Sequence, residues 1–269
     1  MFSLEKKVVV ITGAGGLLGH QHSIAAASAG ADLFLLDVDL DALEVVKNDI
    51  QEKFNNSVEI FKTDITSEAE ILKARDNCIS KLGSISCLIN NAAVNPKMDT
   101  SSKELSRIEN FEISEWDLAL EVGLKGAFLC SKVFGMAMLD NSDNGVILNI
   151  ASDLGVIAPN QNLYHVEGKD ESNQPVKPVT YSVVKHGLIG LTRYFATYWP
   201  TKIRCNALCP GGVENGHSDE FKKRISNLIP QQRMASKEDY KGAIIFMLSD
   251  ASSYMNGSII NIDGGRSAW

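Results

Sequence analysis

Short apolar segments alternate with longer segments of helical pattern along almost the whole of this 269-residue chain. The apolar segments have the length of β-strands and read KVVVIT, DLFLLD, VEIFKT, ISCLINNA, GVILNIAS, KIRCNALCP and SIINIDGG. Helical patterns lie between them at 17–29, 40–54, 67–82, 114–139, 179–199 and 236–248. Right-handed crossovers between parallel strands place helices on the faces of a sheet. The rhythm therefore predicts a single α/β domain over residues 1–269, with a doubly wound parallel sheet of about seven strands and helices on both faces.

Three long segments interrupt this rhythm, at 94–113, 153–178 and 211–235. Each of them directly follows a predicted strand. An open α/β sheet binds its ligands in the crevice at the carboxyl ends of its strands. Long loops in a compact domain are usually functional or disordered, and the shared location of these three favours function. We expect them to form the substrate loops.

The charge and composition exclude several classes of partner. A formal net charge of −7 argues against nucleic acid or an anionic membrane as the main partner, because both require basic patches. No stretch approaches the roughly 18 apolar residues of a membrane span, and the N-terminal MFSLEKK has no apolar signal region. The five cysteines form no C-x-x-C pair, and their odd number fits reduced thiols buried in a core. We expect a soluble, cytoplasmic protein.

A glycine-rich stretch, TGAGGLLG, lies between the first predicted strand and the first predicted helix. A backbone without side chains lets a pyrophosphate approach, and the start of the helix adds the positive end of its dipole. The glycines follow G-x-x-G-x-x-G, and a leucine stands where the commoner G-x-G-x-x-G needs its third glycine. A tight turn without a ligand is the alternative. We predict a dinucleotide-binding turn that contains Gly13, Gly16, Leu17, Leu18 and Gly19.

An acidic residue, Asp37, ends the second predicted strand about twenty residues after this turn. Its carboxylate can accept hydrogen bonds from both hydroxyls of the adenosine ribose, and it would repel the 2′-phosphate of NADP. A helix N-cap is the alternative interpretation of Asp37. The glycine turn at this spacing favours the cofactor interpretation, with NAD as the cofactor.

The segment YSVVK, Tyr181 to Lys185, lies on a predicted helix whose start is marked by Pro178. Residues four apart share a helix face, so the Lys185 ammonium can lower the pKa of the Tyr181 phenol. Tyr181 would then be a proton shuttle. In isolation this pair is a weak signal, and it depends on the motifs around it.

Those motifs occur together in one known order. TGAGGLLG, Asp37, Asp64–Ile65, NNAA, NIAS, YSVVK and CPGG follow one another as in the short-chain dehydrogenase/reductase family, which the chain resembles over nearly its whole length. The resemblance implies an NAD-binding Rossmann fold. It implies that Ser152 polarises the substrate oxygen, that Tyr181 is the acid/base, and that Lys185 lowers the pKa of Tyr181 and holds the nicotinamide ribose.

The resemblance also implies further contacts to the cofactor and to other subunits. Asp64 and Ile65 are expected to contact the adenine, Asn90 to lie beside the cofactor, and Val213 to offer its backbone to the carboxamide. The helices at 114–139 and 179–199 carry apolar residues around most of their circumference. In this family such helices form a dimer interface within a tetramer, so we expect a homo-oligomer.

Two features depart from the family pattern. Gly123 stands where the family has a catalytic asparagine, and we expect a helical kink and a cavity there, in which a water bonded to backbone replaces the amide. Ser152 and Tyr181 are 29 residues apart, well beyond the usual spacing. The polar insert between them favours a sugar, sugar phosphate or nucleotide sugar as substrate, and a solvated loop is its alternative interpretation.

Other polar residues have plainer interpretations. His20 and His22 are two residues apart near a helix start, face different directions and make a poor metal pair, so no metal is predicted. The basic run KKR at 222–224 could approach a substrate phosphate, although a solvated helix face is the favoured interpretation.

The sequence therefore predicts an NAD-dependent oxidoreductase that moves a hydride between nicotinamide and a hydroxyl or carbonyl carbon of a carbohydrate. It resembles short-chain dehydrogenases of bacterial surface-glycan and nonulosonic-acid pathways. One alternative is a sugar epimerase or dehydratase that recycles NAD, since G-x-x-G-x-x-G is the glycine spacing of that branch. Few residues follow the last predicted strand, which disfavours it. The other alternative is a non-catalytic NAD-binding partner in which Gly123 marks lost chemistry.

Overall fold

All the strands of the chain that the structure describes pair in one parallel sheet. The computed structural model describes residues 1–94, 104–141 and 144–269. The strand order is β3-β2-β1-β4-β5-β6-β7, which confirms the predicted doubly wound sheet. The strands are β1 (Val8–Thr12), β2 (Asp32–Asp37), β3 (Val58–Lys62), β4 (Cys87–Asn90), β5 (Gly145–Ile150), β6 (Ile203–Pro210) and β7 (Ile259–Ile262).

Helices cover both faces of this sheet. They are α1 (Leu17–Ser28), α2 (Leu40–Lys53), α3 (Glu68–Leu82), α4 (Ile113–Leu120), α5 (Ala127–Met138), α6 (Val179–Tyr198), α7 (Asp219–Ser226) and α8 (Lys241–Leu248). None of the described helices is both long enough and apolar enough to cross a lipid bilayer.

The alternation of side chains along each strand produces two separate hydrophobic cores. Successive residues of a strand point to opposite faces of the sheet. In β1, Val9 and Ile11 pack with residues of α1, α2 and α8, whereas Val8 and Val10 pack with residues of α3, α5 and α6. Because both faces are buried, the strands are apolar at nearly every position instead of every second one.

The cysteines are buried core residues, as predicted: four of them lie in these two cores, and Cys209 lies in a smaller apolar cluster with Val184 and Leu188 of α6. All five are free thiols with buried side chains. Burial raises the pKa of Cys87 to about 11 and that of Cys209 to about 11, so both thiols are protonated at neutral pH.

The helices differ from the predictions in three places. The segment predicted as one helix at 114–139 contains a π-helical turn, Glu121–Gly126, between α4 and α5. The last predicted helix begins at Lys241 instead of 236. The segment 211–235 contains α7, which begins where the Ser218 hydroxyl accepts a hydrogen bond from the Phe221 N–H (3.2 Å).

The insert at 153–178 packs against both of the other long loops. Its residue Leu163 is buried with Ile225, Ile229 and Met234 of the 211–235 segment. At its other end, the Val176 N–H donates to the hydroxyl of Ser106 (3.0 Å). Residues 95–103 of the loop predicted at 94–113 lie outside the described residues. The described parts of all three loops therefore meet at one edge of the sheet.

Candidate active site

The glycine turn after β1 is packed too tightly for side chains. Gly13 has a φ of +62°, a conformation that favours glycine, and a Cβ atom there would lie 2.7 Å from the Cα atom of Ala92. A Cβ atom on Gly19 would overlap the carbonyl oxygen of Gly13. Gly13 and Gly19 must therefore lack side chains, because β1, α1 and the segment after β4 approach one another closely at these two positions.

The start of α1 fits a bound anion. Gly16 precedes the helix, no side chain caps its first N–H groups, and its first turn contains no acidic residue. By contrast, the Asp39 carboxylate caps α2 and the Ser67 hydroxyl caps α3. An uncapped helix start beside bare glycines is a suitable site for the pyrophosphate of a dinucleotide. Leu17 and Leu18 lie in this first turn, where they were predicted.

Asn91 holds the glycine turn in place. Its side-chain amide donates to the carbonyl oxygens of Thr12 (3.1 Å) and Gly13 (2.9 Å), and its backbone N–H donates to the Thr12 hydroxyl (3.0 Å). Asn90 was predicted to lie beside the cofactor, whereas no function was predicted for Asn91. The two adjacent asparagines of NNAA could have indicated two different roles, because successive side chains at the end of a strand point in opposite directions.

Asp37 lies at the end of β2 beside this turn. Its Oδ2 accepts the Gly15 N–H (3.0 Å), and its Oδ1 accepts the Asp39 N–H (3.2 Å). The carboxylate is therefore oriented by the turn itself. Its position at the adenosine end of the glycine turn fits hydrogen bonding to the ribose hydroxyls.

The other predicted cofactor contacts have different environments. The Asp64 carboxylate accepts hydrogen bonds from the N–H (2.9 Å) and hydroxyl (2.8 Å) of Thr66. The side chain of Ile65 is buried against Gly126. Val213 pairs with Ala235, but this pairing uses the backbone of its two neighbours, Gly212 and Glu214. The pairing thus leaves the N–H and carbonyl of Val213 available, as a contact to a carboxamide requires.

Asn90 belongs to a buried polar network that links the sheet to two helices. Its amide donates to the Ser131 hydroxyl of α5 (2.9 Å) and to Asn149 Oδ1 of β5 (2.8 Å). Asn149 in turn donates to the Thr192 hydroxyl of α6 (2.8 Å). The side-chain NH2 group of Asn90 is therefore occupied inside the protein, whereas its buried Oδ1 accepts no hydrogen bond from the described residues.

The three predicted catalytic residues converge at the end of β5. Ser152 follows this strand, Tyr181 lies in the first turn of α6, and Lys185 follows one turn later. The Lys185 ammonium donates to the carbonyl oxygen of Ile150 (2.8 Å) and lies 5.8 Å from the centre of the Tyr181 ring. Burial lowers the pKa of Lys185 to about 8.

Tyr181 differs from the expectation that Lys185 would lower the pKa of its phenol. Burial raises the pKa of Tyr181, and the Ser152 hydroxyl opposes this effect by hydrogen bonding. The Lys185 ammonium is turned toward Ile150 instead of the phenol oxygen, so the loss of hydration dominates. In the protein without a bound cofactor, the phenol is therefore protonated at neutral pH.

A buried ion pair lies directly behind the catalytic serine. Ser152 Oγ donates to Asp153 Oδ1 (2.8 Å), and Arg266 Nη1 donates to Asp153 Oδ2 (2.8 Å). The side chains of Asp153 and Arg266 are only 3% and 7% exposed. The Leu154 N–H also donates to Asp153 Oδ1 (2.7 Å). This ion pair was not predicted, because the two residues are 113 positions apart and no local sequence pattern links them. The charged residue directly after NIAS was the one local indication of a buried charge.

Gly123 lies in the π-helical turn, which is one of the distortions at which helices can kink. The predicted cavity is absent. A Cβ atom on Gly123 would lie 2.6 Å from Cγ1 of Val184, so this valine of α6 fills the space that a side chain would enter. The structure therefore provides no room at this position for a water that replaces the asparagine amide.

The insert brings two further side chains to the catalytic residues. The Lys177 ammonium lies 3.7 Å above the centre of the Tyr181 ring. Tyr164 packs against Phe221 of α7, and its pKa is raised to about 12, chiefly by burial, with smaller effects from Arg266, Tyr181 and Asp153. The insert was predicted to be a substrate loop, but Lys177 and Tyr164 were not among the predicted site residues.

The basic run at 222–224 is largely neutralised by neighbouring acids. Lys222 pairs with Asp219 (3.0 Å) and Glu214 (3.2 Å), and Arg224 pairs with Glu220. This pairing fits the interpretation of the basic run as a solvated helix face.

His20 pairs with Asp49 of α2 (2.8 Å), and the described part of the chain contains no cluster of three or more side chains suited to a metal.

Two family models match the chain. One is described as short chain dehydrogenase and matches residues 7–165, and the other is described as Enoyl-(Acyl carrier protein) reductase and matches residues 170–267. The chain belongs to the short-chain dehydrogenase family. It is an oxidoreductase that acts on alcohol or ketone groups, with NAD or NADP as its cofactor.

Full-length relatives include enzymes of different specificity. A probable 2,4-dienoyl-CoA reductase of Bacillus subtilis is 29% identical over 98% of this chain and 97% of its own length. An NADP-dependent mannitol dehydrogenase of Hypocrea jecorina is 29% identical over 98% of this chain and 94% of its own. A solved structure of NAD⁺-bound xylitol dehydrogenase has a TM-score of 0.82 and 25% identity, and covers 97% of this chain and 99% of its own.

The buried ion pair yields a stability prediction. Arg266→Met leaves the Asp153 carboxylate buried without its partner, and we expect a loss of about 3–5 kcal/mol in the free energy of unfolding, measured by urea denaturation. Removing both charges, in Asp153→Asn with Arg266→Met, should cost clearly less than the sum of the single changes.

An exposed pair provides the control. Lys132 pairs with Glu68 at the surface, so Lys132→Met should change the free energy of unfolding by less than about 1 kcal/mol. Equal losses in Arg266→Met and Lys132→Met would contradict a stabilising role of the buried pair.

Proposed function

We propose that this protein is an NAD-dependent dehydrogenase or reductase that transfers a hydride between nicotinamide and the hydroxyl or carbonyl carbon of a polar carbohydrate. The observation that carries the proposal is the convergence of Ser152, Tyr181 and Lys185 at the carboxyl edge of the sheet that also holds the uncapped start of α1. Acid/base residues and a dinucleotide cradle at one edge suit hydride transfer.

Each catalytic side chain has a distinct part in the oxidative direction. The bound nicotinamide supplies the chemistry of accepting a hydride from the carbinol carbon. Tyr181, as phenolate, takes the proton of the substrate hydroxyl, and the Lys185 ammonium must turn from the Ile150 carbonyl toward the phenol oxygen to stabilise that phenolate. Ser152 holds the substrate oxygen by a hydrogen bond. For reduction of a carbonyl, the Ser152 hydrogen must turn from Asp153 to the substrate oxygen.

The first test of this proposal is Tyr181→Phe. Loss of the hydroxyl removes the proton shuttle, and we expect turnover to fall by about 10²- to 10⁴-fold while binding of NADH is retained. Turnover is followed by NADH absorbance in a screen of sugars, sugar phosphates and nucleotide sugars, and binding by NADH fluorescence. Tyr254→Phe, at a fully exposed position, is the matched control. Undiminished turnover in Tyr181→Phe would contradict the proposed mechanism.

The choice of NAD over NADP rests on Asp37. The named relatives include an NADP-dependent enzyme and an NAD⁺-bound one, so family membership alone leaves both open. The Asp37 carboxylate lies at the end of β2 with both oxygens held by backbone N–H groups, and a 2′-phosphate would meet its negative charge. This repulsion supports NAD.

Replacement of this carboxylate tests the preference. We expect Asp37→Ser to lower the ratio of kcat/KM for NAD to that for NADP by at least about tenfold, because it removes both the ribose contact and the repulsion. Asp41→Ser, a nearby exposed acidic residue, is the control for net charge. A wild-type protein that prefers NADP would refute the assignment.

A polar carbohydrate is proposed as the substrate because the insert is polar and lies against the catalytic residues. Two relatives are named mannitol dehydrogenase and xylitol dehydrogenase, and mannitol and xylitol are polyols. These names are consistent with a polar carbohydrate as the substrate. A place in bacterial surface-glycan synthesis is the finer form of the proposal. The same NADH screen tests it, and turnover of acyl-CoA substrates alone would exclude a carbohydrate.

The oligomer is proposed to form through the faces of α4, α5 and α6. A groove of about 540 Å³ lies between these helices and is lined by apolar residues such as Leu124 and Leu191. The rings of Phe128 and Tyr194 at this groove are 41% and 57% exposed in the single chain. A second copy of the chain would cover these rings.

Sedimentation velocity tests this interface. Tyr194→Glu places a charge in the apolar groove, and we expect it to shift the protein from a dimer or tetramer to a smaller species. Tyr254→Glu adds the same charge at a fully exposed position and should leave the oligomer intact. A wild-type monomer, or an unchanged oligomer in Tyr194→Glu, would contradict this interface.

A further inference from the structure

The insert places a second lysine on the catalytic tyrosine. The Lys177 ammonium lies 3.7 Å above the centre of the Tyr181 ring, closer than the Lys185 ammonium at 5.8 Å. A cation at this distance from a ring centre interacts favourably with the aromatic face. Lys177 is therefore part of the surroundings of the reacting phenol, although it belongs to the loop and not to the catalytic helix.

The backbone around Lys177 is fixed by hydrogen bonds. The Lys177 N–H donates to Gln161 Oε1 (2.8 Å), and the preceding Val176 N–H donates to the Ser106 hydroxyl (3.0 Å). Pro178 follows and starts α6. The backbone at the base of the lysine side chain is thus held by Gln161 of the same insert and by Ser106 of a neighbouring loop, which preorganises its ammonium group.

The neighbouring carboxylate is already occupied. Asp153 is the acidic group whose field acts on Lys177, and it supports the charged form of the lysine. Its Oδ1 accepts hydrogen bonds from Ser152 and Leu154, and its Oδ2 accepts one from Arg266. Burial lowers the pKa of Lys177, and the positive charge of Arg266 acts in the same direction. A half-buried cation in such surroundings is stabilised by an additional anion.

The local charge is opposite to that of the whole chain. Within the described part of the chain, the Lys177 and Lys185 ammonium groups lie 3.7 Å and 5.8 Å from the centre of the Tyr181 ring, and the nearby Asp153 carboxylate is paired with Arg266. Two ammonium groups and one carboxylate that is already paired leave a local positive surplus in a protein of net charge −7. A local field of this sign, in a site closed by loops, attracts anionic ligands.

We propose that Lys177 binds an oxyanion of the substrate, a carboxylate or a phosphate, held close to the carbon whose oxygen meets Tyr181. The substrate would then be an acidic sugar derivative instead of a neutral polyol. This inference rests on the proposed function, because it places the substrate oxygen at Tyr181. Lys177 is a specificity residue in this proposal, and the hydride transfer itself needs only the three catalytic side chains.

Binding to the NADH complex tests the proposal without turnover. The titrants are D-gluconate, D-glucitol 6-phosphate and the neutral D-glucitol, and the readout is isothermal titration calorimetry of the NADH-saturated protein. D-Gluconate and D-glucitol differ at a single carbon, which bears a carboxylate in one and a hydroxymethyl group in the other. We expect one of the two acids to bind at least about tenfold more tightly than D-glucitol, the gain of one charge-assisted hydrogen bond. The acid that binds more tightly identifies the oxyanion as carboxylate or phosphate.

Variants assign this preference to Lys177. Lys177→Gln should reduce the affinity for the acid to that for D-glucitol, and Lys177→Arg should retain most of the preference. Lys169→Gln removes the same charge from the same insert at a site facing Glu104 (3.7 Å), and it should keep the preference in full. Unchanged NADH binding and thermal unfolding of Lys177→Gln show that the fold is intact.

Equal binding of acid and polyol, no binding of either acid, or a preference that survives in Lys177→Gln would overturn the proposal and leave Lys177 as a structural partner of the Tyr181 ring. These outcomes are separate from the Tyr181→Phe experiment, which follows hydride transfer. Absence of anion selectivity in the wild-type protein, together with intact Tyr181-dependent turnover, would refute the inference alone, whereas turnover independent of Tyr181 would refute the proposed function.

Discussion

Parallel pairing of all seven strands is the constraint on which the rest of this structure depends. In a parallel sheet every strand ends at the same edge, so the segments that follow the strands are brought together whatever their separation in sequence. The glycine turn after β1, Asp37 at the end of β2 and Ser152 after β5 share one edge for this reason. The pairing is itself maintained by two hydrophobic cores, each built from alternate residues of the same strands.

The electrostatics of the edge are local and differ from those of the molecule. The net charge of −7 describes the surface, whereas the uncapped start of α1 and the cations around Tyr181 make the edge positive. Helix dipoles and buried charges act over a few ångströms in a medium of low polarizability, and distant surface carboxylates are screened by solvent and salt. An acidic protein can therefore have one edge at which a helix start and the Lys177 and Lys185 ammonium groups favour anions.

Sequence patterns of short range predicted much of this architecture. The alternation of short apolar segments with helical patterns predicted the sheet, and the spacing of Gly13, Gly16 and Gly19 located the turn against α1. The features that escaped prediction depend on residues far apart in sequence. The Asp153–Arg266 pair and the burial of Leu163 against α7 exist only once the sheet has assembled. The lowered pKa of Tyr181 was wrongly expected for a related reason, since a four-residue spacing on a helix fixes a shared face but neither the direction of an ammonium nor the depth of burial.

The contact between Gly123 and Val184 makes the loss of the family's asparagine hard to reverse. Val184 lies where the first side-chain carbon at position 123 would have to be placed, so a return to any larger residue first requires a smaller residue at 184. The two positions must therefore change together or in a fixed order along any evolutionary path. While Val184 fills this space, position 123 contributes backbone alone to the site.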